Sequence, residues 1–417
     1  MKLINKYILV LIVALGAGAC ADLEELKPIN SIPASDAINN KASAAAAVNG
    51  VYDAIQDGTL VFDGWLALAQ FFSDEANATG TFPTRLEFGN LNVFPANGTM
   101  GAVFTDLYVI INNANNVIEL VPQVEDESFT EAEKADFIAQ AKFARAQAYL
   151  HLVTLWKEVP LILTPTRDVG EVLNVPKNSV DEIYNQILSD FNEASKNLSN
   201  ATGPFLASVQ AANAFLARVN LYRGNWAEAK SKAEEVLGAD FDLTTVPFLQ
   251  DNIYSLGFTP TDGNVLNFFY GPSDFGGRYS IGPTTTIINA FEPGDSRFAA
   301  TIDTSSATVP YGLKYPSFSA GISGTATDPI FFIRHAEMVL IIAEAAAEMG
   351  DFETASMYLN QVRNRAGLGD VTLDASNYVD LILQERFVEF AFEGPFRLID
   401  LRRKGKSLEV LGTIGYE

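Results

Sequence analysis

The amino-acid sequence predicts a mostly α-helical protein that carries two long irregular segments. Apolar residues recur at helical spacing through most of the 417 residues, and two capping boxes indicate where helices begin. The segments 57–100 and 240–329 are rich in Gly, Thr and aromatic residues and show no sustained helical period. Long irregular segments in a folded domain are usually functional, so we expect these two to be ligand-binding loops on a helical base.

The capping boxes pair Thr130 with Glu133 and Ser179 with Glu182, and each precedes an apolar helical stretch. Periodicity and these start signals predict nine main helices. The predicted helices are Ser43–Gln56, Val103–Val121, Glu131–Trp156, Val180–Leu198, Val209–Arg223, Trp226–Leu237, Phe331–Met349, Phe352–Ala366 and Tyr378–Phe392.

Two of the helix pairs share a turn pattern. Gly224-Asn225-Trp226 joins one pair and Gly350-Asp351-Phe352 joins the other, each with an alanine three residues after the aromatic. Glycine supplies the left-handed residue after a helix, and Asn or Asp can cap the next helix. The pattern is typical of a tetratricopeptide-like helical-pair scaffold, with ordinary helical hairpins as the alternative.

The N-terminus has the pattern of an exported lipoprotein. Lys2 and Lys6 precede an apolar run that is too short to span a bilayer, and small residues lead to Cys20, the one cysteine of the chain. We therefore expect residues 1–19 to be a signal peptide and Cys20 to be lipidated, anchoring the protein to a membrane. An ordinary secretory peptide that contains a cysteine is the alternative.

Composition limits the classes of function. The net charge of −23 disfavours nucleic acid as a partner. A single cysteine excludes an intramolecular disulfide and a thiolate metal cluster, and two histidines leave little for a histidine-based triad or metal site. We expect no cofactor, no metal and no enzymatic activity. A glycoside hydrolase would need only two suitably spaced carboxylates and stays an alternative, as does a structural adaptor protein.

Several motifs, in order along the chain, resemble those of the SusD/RagB family of nutrient-uptake lipoproteins. The C-terminal part of the chain carries most of them, and the remainder lie in the first half. They are Ser73-Asp74-Glu75, Ala144-Arg145-Ala146, Val159-Pro160-Leu161, Ile333–Glu337, Ile342–Ala345, Leu359–Leu368, Glu385-Arg386, Glu389, Phe392-Glu393-Gly394, Arg397, Asp400 and Leu401-Arg402-Arg403.

The resemblance implies one SusD-like domain over residues 20–417, facing the cell exterior on a Gram-negative outer membrane. It implies capture of an oligosaccharide, or of a peptide as in RagB-like proteins, for uptake through a partner TonB-dependent, SusC-like transporter. Glu385, Glu389 and Glu393 recur every four residues beside several arginines, so we expect them to form a structural ion-pair network rather than a ligand site.

A sugar-binding surface needs flat apolar faces beside amides and charged groups, and both irregular segments offer that mixture. Family members place ligand contacts in loops near these positions. The candidate ligand-binding residues are Phe82, Arg85, Phe88, Asn90, Asn92, Phe94, Asn97, Tyr270, Phe275, Arg278, Tyr279, Tyr311, Tyr315 and Phe318.

Overall fold

The structure, a computed structural model, describes residues 37–168, 170, 174–199, 203–306, 308–317 and 326–416. Residues 1–36, which include the expected signal peptide and Cys20, and residue Phe318 lie outside the described residues. The α-helices are α1 Lys41–Ile55, α2 Leu68–Phe71, α3 Pro83–Gly89, α4 Gly98–Leu120, α5 Glu131–Trp156, α6 Val180–Asn197, α7 Val209–Arg223, α8 Trp226–Leu237, α9 Leu266–Tyr270, α10 Thr285–Ala290, α11 Phe298–Thr301, α12 His335–Glu348, α13 Phe352–Arg365, α14 Tyr378–Glu389, α15 Phe396–Arg403 and α16 Ser407–Leu411.

The long helices pack one against the next in a continuous series. Helix α1 packs on α4, α4 on α5, α5 on α6, α6 on α7, α7 on α8, α8 on α12 and α12 on α13. The two turns with the shared pattern join α7 to α8 and α12 to α13, and both helix pairs pack together across α8 and α12. The tetratricopeptide-like scaffold is therefore confirmed.

The turn residues act largely as the sequence predicts. Gly224 and Gly350 both have left-handed φ, 74° and 83°, and the Asp351 side chain caps α13 by accepting from the Thr354 N–H. One detail is wrong, because Asn225 makes no capping bond to α8. Its amide donates instead to the Asn220 side chain at 3.0 Å, which ties the turn back to α7.

Among the described residues, six short strands form three antiparallel pairs. Strand β1 (Ala76–Ala78) pairs with β3 (Ile281–Pro283), β2 (Asn252–Leu256) with β6 (Ile330–Arg334), and β4 (Ile302–Asp303) with β5 (Tyr311–Gly312). The β2–β6 pair corrects the prediction of one helix over Phe331–Met349. Its first residues form a strand, because Ile330–Arg334 finds a hydrogen-bonding partner 78 residues earlier, at Asn252–Leu256.

The interpretation of residues 57–100 as an irregular loop is wrong in its first part. Leu60–Ala67 form a π-helix that continues into α2, and all residues from Leu60 to Phe71 are buried. Trp65 lies within this stretch, where its indole N–H donates to the Ile55 carbonyl at 3.1 Å. The apolar run thus belongs to the core, and the loop proper begins after β1.

The expected ion-pair network is confirmed and is buried. Arg297 bonds Glu385 and Glu389 at 2.6 and 3.0 Å, and Arg334 bonds Glu389 and Glu393 at 2.9 and 2.8 Å. Because each carboxylate is matched by buried cations and hydrogen bonds, the charges can be accommodated away from water. Within the part of the chain that the structure describes, no helix combines the length and apolar character that crossing a membrane requires.

Candidate functional site

The two irregular segments of the sequence meet at the β1–β3 pair. Ala76 lies opposite Pro283 and Ala78 opposite Ile281. The pairing continues one residue further, because the Thr79 N–H donates to the Ser280 carbonyl at 3.2 Å. This short ladder brings residues 79–82 of the first segment beside residues 275–280 of the second, although about 200 residues separate them in the chain.

The second of these segments is held against helix α9. The backbone N–H groups of Arg278 and Ser280 donate to the carbonyls of Phe268 and Phe269, both at 2.7 Å. Between them Tyr279 adopts a left-handed φ of 49°. A Cβ added at Gly277 would lie 2.1 Å from the Gly271 carbonyl oxygen, so this position requires glycine. The loop is therefore shaped by its backbone rather than by a core of its own.

Arginine and phenylalanine side chains alternate where the segments meet. Exposed Arg278 lies 3.9 Å from the centroid of the Phe82 ring, and Arg85 lies 4.3 Å from the same ring. Arg85 also contacts the rings of Phe62 and Phe269 and forms a bidentate ion pair with Asp63 at 2.7 and 2.8 Å. Cations over aromatic faces are attracted by the ring quadrupole, so the layers hold one another in place.

Phe275 adds an open apolar face to this region. It is 51% exposed, and its ring centroid lies 5.8 Å from that of Tyr311. Tyr311 is itself buried and donates to Asp303 at 2.9 Å; burial, with a smaller effect of Asp303, raises its pKa to about 12. The Tyr279 hydroxyl donates to the Pro310 carbonyl, and burial raises its pKa. We call Phe82, Phe275, Arg278 and Tyr279 the aromatic platform.

Several predicted ligand-binding residues prove to be buried. They lack the exposed face that ligand contact needs. Hydrogen bonds or packing inside the fold account for the buried position of each residue. Tyr270 bonds Gln70, Tyr315 donates to the Phe392 carbonyl, and Asn97 caps α4. The buried candidates are Phe88, Asn97, Tyr270, Tyr311 and Tyr315. Arg85 is half-buried and engaged in the ion pair, so it supports the platform rather than facing a ligand.

The remaining candidates form a second exposed group just after α3. Phe94 is 56% exposed, and Asn90 and Asn92 are exposed beside it in sequence. Glu87 fixes this turn by accepting from the Phe94 N–H at 3.1 Å and from the Asn97 amide at 2.8 Å. Asn90, Asn92 and Phe94 thus form a second exposed group, fixed by Glu87 at the end of α3.

Sequence reasoning missed the polar residues around the platform and a large groove beside α1. Exposed Thr81 accepts from Arg278 at 3.2 Å, and Thr308 donates to Asp274 at 3.1 Å. A groove of about 690 Å³ lies between α1 and the loops that hold exposed Phe205 and Leu206. The only hint of it in the sequence is that run of apolar residues after Gly203-Pro204, inside a loop.

The histidines have packing roles in this structure. His151 is buried against Trp65, with ring centroids 4.7 Å apart, and burial lowers its pKa to about 4. His335 stacks on Phe241 and contacts the Asp251 carbonyl, and burial lowers its pKa as well. Among the described residues, no group of three or more His, Cys, Asp or Glu side chains is arranged to hold a metal ion.

Comparisons with known proteins agree with the geometry of the fold. One family model, described as the SusD family, matches residues 301–416, and another, described as starch-binding associating with outer membrane, matches residues 27–221. The SusD-like protein P2 of Formosa agariphila is 27% identical, in an alignment that covers 95% of this chain and 90% of that protein.

Two solved structures illustrate the shared fold. A laminarin-binding SusD-like protein is 24% identical with a TM-score of 0.78, over 91% of this chain and 95% of its own. A SusD superfamily protein from Bacteroides vulgatus is 20% identical with a TM-score of 0.80, over 89% of this chain and 90% of its own. At these sequence identities, the structural similarity establishes a shared fold and nothing more specific.

Proposed function

Because this chain belongs to the SusD/RagB family, we propose that it is a cell-surface lipoprotein that captures oligosaccharides for uptake. Its partner would be a TonB-dependent, SusC-like transporter in the outer membrane, which would carry the captured ligand inward. Lipidation of Cys20 would hold it at the outer face of that membrane. The name of the family model over residues 27–221 supports outer-membrane association.

The aromatic platform is the single observation that carries ligand capture. Phe275 presents an apolar face, Arg278 is exposed and stacked on Phe82, and Tyr279 lies beside them. Sugars expose C–H groups that pack on aromatic faces and hydroxyls that bond charged or polar groups. Since the platform lies at the junction of two loop segments fixed by the β1–β3 pair, it can be rigid without having a core of its own.

The solved structure described as a laminarin-binding SusD-like protein makes laminarin oligosaccharides a reasonable first probe. Calorimetric titration with laminarin oligosaccharides would measure binding to the native protein and to Phe275→Ala and Arg278→Ala. We expect both variants to bind more weakly, by roughly tenfold, with unchanged melting temperatures. Met357→Ala, which removes an exposed apolar side chain on α13 outside the platform, is the control and should bind normally.

Two outcomes would argue for other functions. Weak binding of every glycan together with platform-dependent binding of peptides would favour a RagB-like peptide carrier. Conversion of a bound oligosaccharide to shorter products would favour a glycoside hydrolase. For that case the structure offers Asp57 and Asp106, where burial and then the Asp57 charge raise the pKa of Asp106 to about 6. We expect no such turnover, and Asp106→Asn should leave binding unchanged.

A further inference from the structure

We infer that a second ligand site lies in a positively lined cleft of the helical scaffold and that it accepts an anionic sugar group. The cleft has a volume of about 560 Å³ and lies between the end of α5, the start of α6 and the α15–α16 corner. We call it the tyrosine–arginine cleft and define it by Lys157, Tyr184, Tyr222, Arg402, Ser407 and Tyr416.

The charge of the cleft is opposite to that of the whole chain. Its described lining residues include three cations, Lys157, Arg402 and Arg403, and no carboxylate, whereas the chain has 51 acidic and 28 basic residues. In a protein with a net charge of −23, chance would favour acidic side chains in any open cleft. A concave surface lined by one sign of charge attracts ligands of the other sign.

Two of the three cations have no carboxylate partner among the residues that the structure describes. Arg403 is matched by Glu344 at 2.6 Å and Asp400 at 2.9 Å. Arg402 instead donates to the Tyr416 hydroxyl at 3.1 Å and to the Thr154 carbonyl at 3.4 Å. Within the described residues, no carboxylate lies within ion-pair distance of Arg402 or of exposed Lys157. Their charges are therefore available to an anion.

Ser407 lines the cleft, and its unpartnered hydroxyl oxygen is enclosed in the cleft wall. Ser407 is 9% exposed, and its Oγ has no hydrogen-bond partner among the described residues. Buried polar groups are rarely left without partners, because losing their bonds to water is costly. The planar guanidinium of Arg402 suits carboxylate or sulfate oxygens.

The tyrosines indicate a sugar rather than a bare ion. Tyr184 and Tyr222 line the same cleft as Arg402 and Lys157. Aromatic faces beside charged groups fit a pyranose that carries a uronate carboxylate or a sulfate ester. The assignment to a glycan rests on the proposed function, whereas the anion specificity stands on the charges alone. None of the residues that define the cleft belongs to the aromatic platform.

Calorimetric titration with three monosaccharides tests the site. We expect glucuronate, glucose 6-sulfate or both to bind the full protein, with affinity falling as salt rises, and glucose not to bind. Arg402→Gln and Lys157→Gln should each weaken anion binding roughly tenfold. Lys196→Gln, which removes an exposed lysine on α6, is the matched control for net charge and should change nothing. Thermal melts report whether each variant is folded. If Arg402→Gln is unstable, Lys157→Gln still tests the site, because Lys157 is exposed.

Failure here can be told apart from failure of the proposed function. Phe275→Ala combined with Arg278→Ala should abolish platform binding while leaving anionic-sugar binding intact. Equal binding of glucose and the anionic sugars would overturn the inference, and so would equal losses in Lys157→Gln and Lys196→Gln. Binding of a tetraglutamate peptide without binding of either anionic sugar would also overturn it, since the cleft would then accept acidic peptides.

Discussion

The Asp74 carboxylate and the Arg397 guanidinium form a bidentate ion pair, with both N–O distances 2.7 Å, between residues 323 positions apart. The neighbouring Glu75 accepts from the Phe392 N–H at 2.6 Å. The short motif Ser73-Asp74-Glu75 thus bonds directly to the C-terminal motifs, and it immediately precedes β1 and the aromatic platform. Two groups of motifs that look independent in the sequence are one structural unit.

Removing one partner of this pair should destabilise the fold. Asp74 and Arg397 side chains are 5% and 11% exposed, so either Asp74→Asn or Arg397→Gln leaves a nearly buried charge without its partner. We expect the free energy of unfolding to fall by about 3–5 kcal/mol in each single variant.

Denaturant unfolding of the two single variants and the double variant measures this coupling. The double variant should lose less than the sum of the single losses, since no charge is left unpaired. Lys230→Gln, in the exposed pair with Glu234, is the control and should cost less than about 1 kcal/mol. Simple additivity of the two single losses would contradict the coupling.

Glu75 should make stability fall as the pH rises. Its complete burial raises the pKa from 4.5 to about 8. The folded protein therefore binds this proton more tightly than the unfolded chain does. The stabilisation is fully present below pH 4.5 and is lost as the pH rises through about 8. The slope approaches about 1.4 kcal/mol per pH unit within that window.

Glu75→Gln keeps an acceptor for the Phe392 N–H but cannot ionise. Denaturant midpoints can be measured between roughly pH 5 and roughly pH 9. As the pH rises, they should fall less steeply for the variant than for the native protein. Glu131→Gln, on a side chain that is 89% exposed, should leave the pH dependence unchanged. Parallel pH profiles for Glu75→Gln and the native protein would show that Glu75 is not the responsible group.

Aromatic residues of the scaffold should differ in their contribution to stability. Phe215 is 2% exposed and stacks on Phe191 with ring centroids 5.0 Å apart, so Phe215→Ala should cost about 3–5 kcal/mol. Phe352 in the second repeated turn is only partly buried, beside Tyr378, and Phe352→Ala should cost about half as much. Thermal melts rank the two variants, and ligand affinity of the folded fraction should be the same in both.

Cys20 should carry the membrane anchor. In Cys20→Ala we expect mature protein to leave the membrane fraction, because lipid chains on this residue would supply the attachment. Cell fractionation and mass spectrometry of the mature N-terminus provide the measurement. Finding an unmodified N-terminus at Ala21 or later in the native protein would contradict lipidation. Ala19→Gly, which keeps a small residue before the cysteine, should remain anchored.

The sequence by itself determined the long helices closely. Helices α5, α7 and α8 begin and end at the predicted residues, Glu131–Trp156, Val209–Arg223 and Trp226–Leu237. Capping boxes, left-handed glycines and apolar periodicity act within a few residues of one another, so they can be recognised without knowing what the helix packs against. The same local signals identified the repeated turn, and the four-residue spacing of Glu385, Glu389 and Glu393 identified the ion-pair network.

Tertiary structure decided what no local pattern contains. Ile330–Arg334 forms a strand because it pairs with Asn252–Leu256. Leu60–Phe71 forms buried helix because these residues pack within the core. It also separated exposed Phe275 and Arg278 from buried Tyr270 and Tyr315, which share their segment and composition. Periodicity reports which residues can face a core, but exposure depends on contacts between segments about 200 residues apart, and only the folded chain brings those segments together.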